Sequence, residues 1–188
     1  MNIENINPHT HDNMRIIQLL AYITEYSGGT IEKMKLFYLM FLSDFFSLVV
    51  FARFMSKDYY YFDITYEDDE NSVFDIYMYR GNQILEGGVV NGYIFEDEGG
   101  VVHLIKSHDP EFINEEETQY IHPIMEHFGN MTTDQLADIC AGFNVFQPGE
   151  FLTQESILWN ENYHELLIPF LYNIKNARET YPYTRDYQ

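Results

Sequence analysis

Basic residues and cysteine are what this 188-residue chain has least of: it carries 10 Lys+Arg against 30 Asp+Glu, a formal net charge of −20, and a single cysteine, Cys140. A carboxylate excess of that size repels phosphate backbones, so no direct nucleic-acid partner is expected. One cysteine cannot form an internal disulfide, and the chain opens without a basic segment followed by an apolar run and a small-residue cleavage site. An intracellular, cytoplasmic setting is the expectation that follows. The glycine pairs at 28–29, 87–88 and 99–100 lack the GxGxxG or GxxxxGK spacing that aims backbone N–H groups at phosphates. They read as turns. Internal repeats, low-complexity tracts and domain-splitting linkers are also missing.

Apolar and aromatic residues are abundant: 46% of the chain is hydrophobic, with 16 Tyr, 15 Phe and 1 Trp. That is enough to build one sizeable core. Residues 1–12 read as a flexible arm, 13–180 as a single domain and 181–188 as a tail. A first helix fits Asn13 to Ser27, with Asp12 or Asn13 as N-cap, Ile16, Ile17, Leu20 and Ile23 on one face, and Gly28-Gly29 as its end. Thr30 is placed to cap a second helix running to about Met55 that is apolar on nearly every face. Such a helix is either a membrane span or the centre of a core. Leu36 to Ala52 is short for a span and carries Asp44 in its middle, which costs about 3 kcal/mol on the insertion scale. A buried central helix is therefore expected, and no membrane partner.

After Lys57 the period changes to that of strands. Tyr60, Phe62, Ile64 and Tyr66 alternate with Tyr59, Tyr61, Asp63 and Thr65, and Val73 to Arg80 alternates again across the acidic turn 67–71. This predicts a hairpin. Val89–Phe95 and Val101–Lys106 predict a second strand pair around Gly99-Gly100, giving a small antiparallel sheet of three to five strands. Asn114, followed by Glu115, Glu116 and Glu117, opens a helix with a capping box that runs through Pro123 to Phe128-Gly129. Thr132 and Gln135 repeat the box before a short helix with Leu136, Ile139 and Cys140 on its buried face, stopped by Gly142. A turn at Pro148-Gly149 leads to a last helical region interrupted at Pro169. The expected class is α+β: a helical core around one very hydrophobic central helix, with a small antiparallel β-sheet.

No catalytic constellation emerges from the spacing. His9 and His11 form an HxH fragment and His103 and His108 a loose pair, but a metal centre needs three or four converging ligands, so no metal and no cofactor are expected. His164-Glu165 begins like HExxH, yet position 168 is Ile. Cys140, with His122 or His127 as base, is a conceivable nucleophile, but on an apolar helix face free Cys behaves as a small hydrophobe. The acids fall mostly in runs at 67–70, 96–98 and 115–117, which read as solvated faces rather than as general acids with raised pKa.

Charge distribution is more informative than any single residue. From Asp58 to Ile105 there are 11 acids and one base, Arg80, and from Ser107 to Ile174 there are 12 acids and no Lys or Arg. A solubilising surface accounts for this in general terms. A docking face for a basic partner accounts for it more specifically, since attraction speeds encounter and aromatic side chains anchor the contact. The tract 58–70 combines both ingredients. Tyr59, Tyr61, Asp63, Glu67, Asp68, Asp69 and Glu70 are the candidate partner-binding residues.

Two stretches resemble the Panacea domain, the family of SocA-like antitoxins of bacterial toxin–antitoxin pairs and phage-associated genes. One runs from Arg15-Ile16-Ile17-Gln18-Leu19-Leu20 through Gly28-Gly29-Thr30 to Lys35-Leu36-Phe37-Tyr38-Leu39. The other is Ile121 to Cys140, with His127-Phe128-Gly129 before Thr132-Thr133-Asp134-Gln135-Leu136. What the resemblance implies is a fold and a habit of neutralising proteins by binding them. The expected function is thus that of a non-catalytic acidic protein that inhibits a basic partner, a toxin or a nucleic-acid enzyme, in the manner of an antitoxin. Two alternatives stand beside it: a phage-type DNA mimic acting against a host nucleic-acid-binding or defence enzyme, and an enzyme using buried carboxylates.

Overall fold

The computed structural model describes residues 11–51, 55–56, 61–68, 71–78, 81–142 and 151–152. Their class is α+β. Helix α1, His11–Tyr26, reaches back beyond Asn13 and buries Ile16, Ile17, Leu19, Leu20 and Ile23 completely. It ends because Gly28 and Gly29 adopt φ of 86° and 91°, where a side chain is strained, and Gly29 N–H closes on Thr24 C=O at 2.9 Å.

Strand β1, Thr30–Glu32, follows at once. Thr30 is thus not the cap of the next helix, as expected, but the first residue of a strand with an exposed–buried–exposed pattern. Helix α2, Lys33–Phe51, is the expected central helix, ending short of Met55. Every residue from Leu36 to Ser47 is buried, because α1, the later helices α4 (Glu115–Phe128) and α5 (Thr133–Gly142), and strand β3 (Asn71–Met78) all pack on it. Its one acid is accounted for locally: the Asp44 carboxylate accepts from Ser56 N–H at 2.8 Å and from the Ser56 hydroxyl, while Ser47 Oγ accepts from Met55 N–H at 3.1 Å. Asp44 therefore fastens residues 55–56 beneath α2. No helix among the described residues is long and apolar enough to cross a membrane.

Strands β2, Tyr61–Asp68, and β3 form the expected hairpin, with a longer ladder than predicted: Glu67 pairs Ser72 and Asp68 pairs Asn71. Residues 81–90 correct the prediction more sharply. Gly81–Val90 is a helix, α3, so Val89 and Val90 are not strand residues and Gly87-Gly88 is not a turn. The reason is packing: a Cβ on Gly88 would lie 2.5 Å from Ile94 Cγ1, so the glycine lets α3 approach the next strand. That strand, β4 (Ile94–Glu96), turns through Asp97–Gly100 into β5 (Val101–Leu104), with Gly100 at φ 74°.

The strands form two sheets where one was expected. One has the order β1-β5-β4, and the other β3-β2-β6, where β6 is Phe151–Leu152; all pairings are antiparallel. Helix α4 opens on the expected capping box, Glu117 N–H donating to Asn114 Oδ1 at 2.9 Å and Asn114 N–H to Glu117 Oε2 at 3.1 Å. It runs through Pro123 to Phe128. The second box is also present: Gln135 N–H donates to Thr132 Oγ1 at 3.2 Å and Thr132 N–H to Gln135 Oε1 at 2.9 Å. Leu136 and Cys140 of α5 are fully buried, with Ile139 partly so. The expected arm 1–12 is shortened by α1, which includes His11 and Asp12; residues 1–10, the turn at Pro148-Gly149, the last helical region and the tail 181–188 lie outside the described residues.

Candidate functional site: an acidic cleft at a sheet edge

The acids divide by what the fold does with them. Glu117 has 8% exposure and Arg15 the same; Arg15 Nη2 donates to Glu117 Oε1 at 2.6 Å, Arg15 Nε to Met55 C=O at 2.8 Å and Arg15 Nη1 to Phe112 C=O at 2.5 Å. One guanidinium thus ties α1 to the start of α4 and to residues 55–56. Asp44 is likewise held inside by Ser56. These buried carboxylates are committed to structure. Neither lines the acidic cleft.

Other acids remain at the surface around a cleft of about 990 Å³. Its walls are the end of α1 (Tyr26, Ser27), β1, Lys35 of α2, Val101 of β5, the end of α4 (Met125, Glu126) and the segment Gly129–Asp134 that leads into α5. Glu32, Glu126 and Asp134 are exposed carboxylates in this lining, against one cation, Lys35. Glu32 accepts from Thr133 Oγ1 at 2.5 Å, which fastens β1 to α5 without neutralising the charge. Glu126 lies 3.2 Å from His122 Nε2, and His122 stands edge-on to Tyr26 with centroids 5.1 Å apart. Lys35 and Asp134 make no ion pair among the described residues.

One turn back along α1, a second histidine repeats the theme. Tyr22 stands edge-on to His108 at 5.0 Å, and Glu25 accepts from His108 Nδ1 at 3.1 Å and from Ser107 Oγ at 2.9 Å. Burial opposes ionisation of Glu25, but the hydrogen bonds from His108 and Ser107 outweigh it and hold the carboxyl below its usual value. Tyr22 is pushed up to about 12 by burial, with Tyr26 and Glu25 adding to the rise. Of the two tyrosines, Tyr26 is the one that lines the cleft. At the β4–β5 end of the same sheet, hydrogen bonds to Asp97 from His103 and from the Val101 and Gly99 N–H groups keep that carboxyl low, and His103 stacks on Phe95 at 4.6 Å.

The residues singled out in the sequence are distributed differently. Tyr61, Asp63 and Glu67 fall at alternate positions on one face of β2, and Asp68 falls on the other face. Tyr59, Asp69 and Glu70 lie outside the described residues, as do His9 and His164. β2 pairs with β3 along its whole length and with β6 only at Tyr61 and Phe62. Glu32, Lys35, Glu126 and Asp134 were missed because they come from four separate elements. The one local signal was the alternation Thr30-Ile31-Glu32 after two glycines.

Among the described residues no group of three or more His, Cys, Asp or Glu is arranged to hold a metal ion. Cys140 is fully buried, and burial pushes its thiol well above the ordinary value, which suppresses the thiolate. No family model matches the chain, and neither a curated protein nor a solved structure is detectably similar to it.

Proposed function

We propose that this chain is a non-catalytic binding protein that captures and neutralises a basic protein partner through its acidic surface, in the manner of an antitoxin. One observation supports the reading above the others. The acids that the fold needs are paired inside it, whereas Glu32, Glu126 and Asp134 stand exposed around a cleft with Lys35 as the one Lys or Arg in its lining. Leaving like charges together at a concave surface costs stability unless an opposite charge is met there. A basic toxin or nucleic-acid enzyme supplies that charge, with Tyr26, Met125 and Met131 as the apolar contacts beneath it.

The test is capture from the source cell at low and at high salt, followed by an activity measurement. A basic protein that is retained at low salt, released at high salt, and silenced when this chain is added back supports the proposal. Recovery of no basic protein at low salt, or of one whose activity is untouched, counts against it. Competition by DNA for the same partner redirects the reading to mimicry of a phosphate backbone.

A further inference from the structure

Strand β1 lies in the acidic cleft with one side unpaired among the described residues. In its ladder with β5, Leu104 N–H donates to Gly29 C=O at 2.8 Å and Lys33 N–H to Gly100 C=O at 2.9 Å. Antiparallel ladders alternate bonded and non-bonded residues, so Gly29, Ile31 and Lys33 turn their backbone groups toward β5. Thr30 and Glu32 turn theirs the other way. Among the described residues no strand lies on that side of β1, and Thr30, Ile31 and Glu32 all line the cleft.

Open sheet edges are usually blunted by a short strand, a charged side chain, a bulge, a proline or a covering element; β1, three residues long and carrying Glu32, is guarded against an acidic segment but not against a basic one. Here the edge is left at the wall of a cleft of about 990 Å³, which has room for a chain segment. Nor is it guarded by a cation of its own, since the residues whose backbone faces outward are Thr30 and Glu32.

The geometry points to strand addition: an extended segment of the basic partner pairs with the outer edge of β1, placing a lysine or arginine opposite Glu32. Cross-strand partners share a face, so that cation lies on the face that Glu32 shares with Val101. The backbone groups of Thr30 and Glu32 give affinity that is independent of sequence, and the three cleft carboxylates select for positive charge. This inference rests on the reading of the chain as an acidic protein-binding protein. It adds where the partner docks and in what conformation.

The experiment uses the full chain and a capped peptide of about eight residues alternating lysine and valine, a length typical of a strand, with a glutamate-for-lysine version as control. Amide hydrogen exchange is read residue by residue at low salt. The expected result is slower exchange at Thr30 and Glu32, no change at Ile31, whose N–H already faces β5, and no effect of the glutamate peptide. Glu32→Gln, which keeps the N–H, is expected to weaken the lysine peptide about fivefold. Thr30→Pro, which removes an outward N–H and spares the β5 ladder, is expected to abolish the protection. Should Thr30→Pro fail to fold, the exchange pattern of the unaltered chain decides alone.

Unchanged exchange at Thr30 and Glu32 with millimolar lysine peptide overturns the inference. If the captured basic protein still binds in a salt-sensitive way while these amides stay unprotected, strand addition is wrong and the acidic docking reading survives. If no basic protein binds at all, both are wrong.

Discussion

Helix α4 carries an acid near each end, and the two have opposite fates. Glu117, in the first turn, faces the favourable end of the helix dipole, completes the capping box and is buried against Arg15. Glu126, in the last turns, faces the unfavourable end, stays exposed and lines the cleft. One acid is held by the fold; the other is tolerated by it. The same contrast separates Asp44, locked to Ser56 beneath α2, from Glu32 and Asp134 at the cleft. A count of 30 acids conceals this division, because composition does not tell a carboxylate paired inside the fold from one left exposed.

Breaking the structural side of the comparison should have the largest effects. Glu117→Gln keeps a capping-box side chain but leaves the Arg15 guanidinium buried without its counter-charge, and a loss of about 3 kcal/mol is expected in denaturant unfolding. Ser56→Ala leaves the buried Asp44 carboxylate with one donor fewer and should cost about 1–3 kcal/mol. Gly88→Ala drives a Cβ into Ile94, and the overpacking, less the gain in helix propensity, should cost about 1 kcal/mol in the same assay. On the cleft side, Glu126→Gln should change stability by no more than about 0.5 kcal/mol in either direction while weakening the partner.

Two measurements sharpen the contrast without altering the core. Cys140 should resist alkylation in the native chain and react once denaturant unfolds it, since its thiol is buried and held neutral. Glu25 has a folded pKa below its unfolded one, so its contribution is complete above the usual carboxylate range and is lost as pH falls through the lowered value. Detachment of residues 107–108 from α1 is therefore expected only at pH below the usual carboxylate range, visible as a change in the Tyr22–His108 ring contact by NMR. The hydrogen bonds that Asp97 accepts should be lost in the same direction, as pH falls through its lowered value.

Much of the scaffold was legible because it is written locally. The faces of α1, the apolar run of α2, the two capping boxes and the β2–β3 alternation each depend on residues a few positions apart. Helix α3 was not legible, since a Gly-Gly pair signals a turn by default and its use against Ile94 is a tertiary fact. Strand β1 was hidden because Thr30 is equally good as a helix cap, and only β5, distant in sequence, decides between the two roles. The split into two sheets is likewise a matter of register and partner, which strand periodicity does not carry. The cleft was least legible of all. Its charges come from β1, α2, α4 and α5, and no window of sequence contains them together.

The central claim is that the exposed cleft carboxylates, not the total acidity, hold a basic partner. The most direct measurement is the affinity of the captured partner, over a range of salt, for the intact chain and for the triple variant Glu32→Gln, Glu126→Gln, Asp134→Asn. The account predicts a stable variant whose affinity falls about tenfold or more at low salt, with a shallower salt dependence. An unchanged affinity and salt dependence would contradict it and return the binding surface to some other part of the chain.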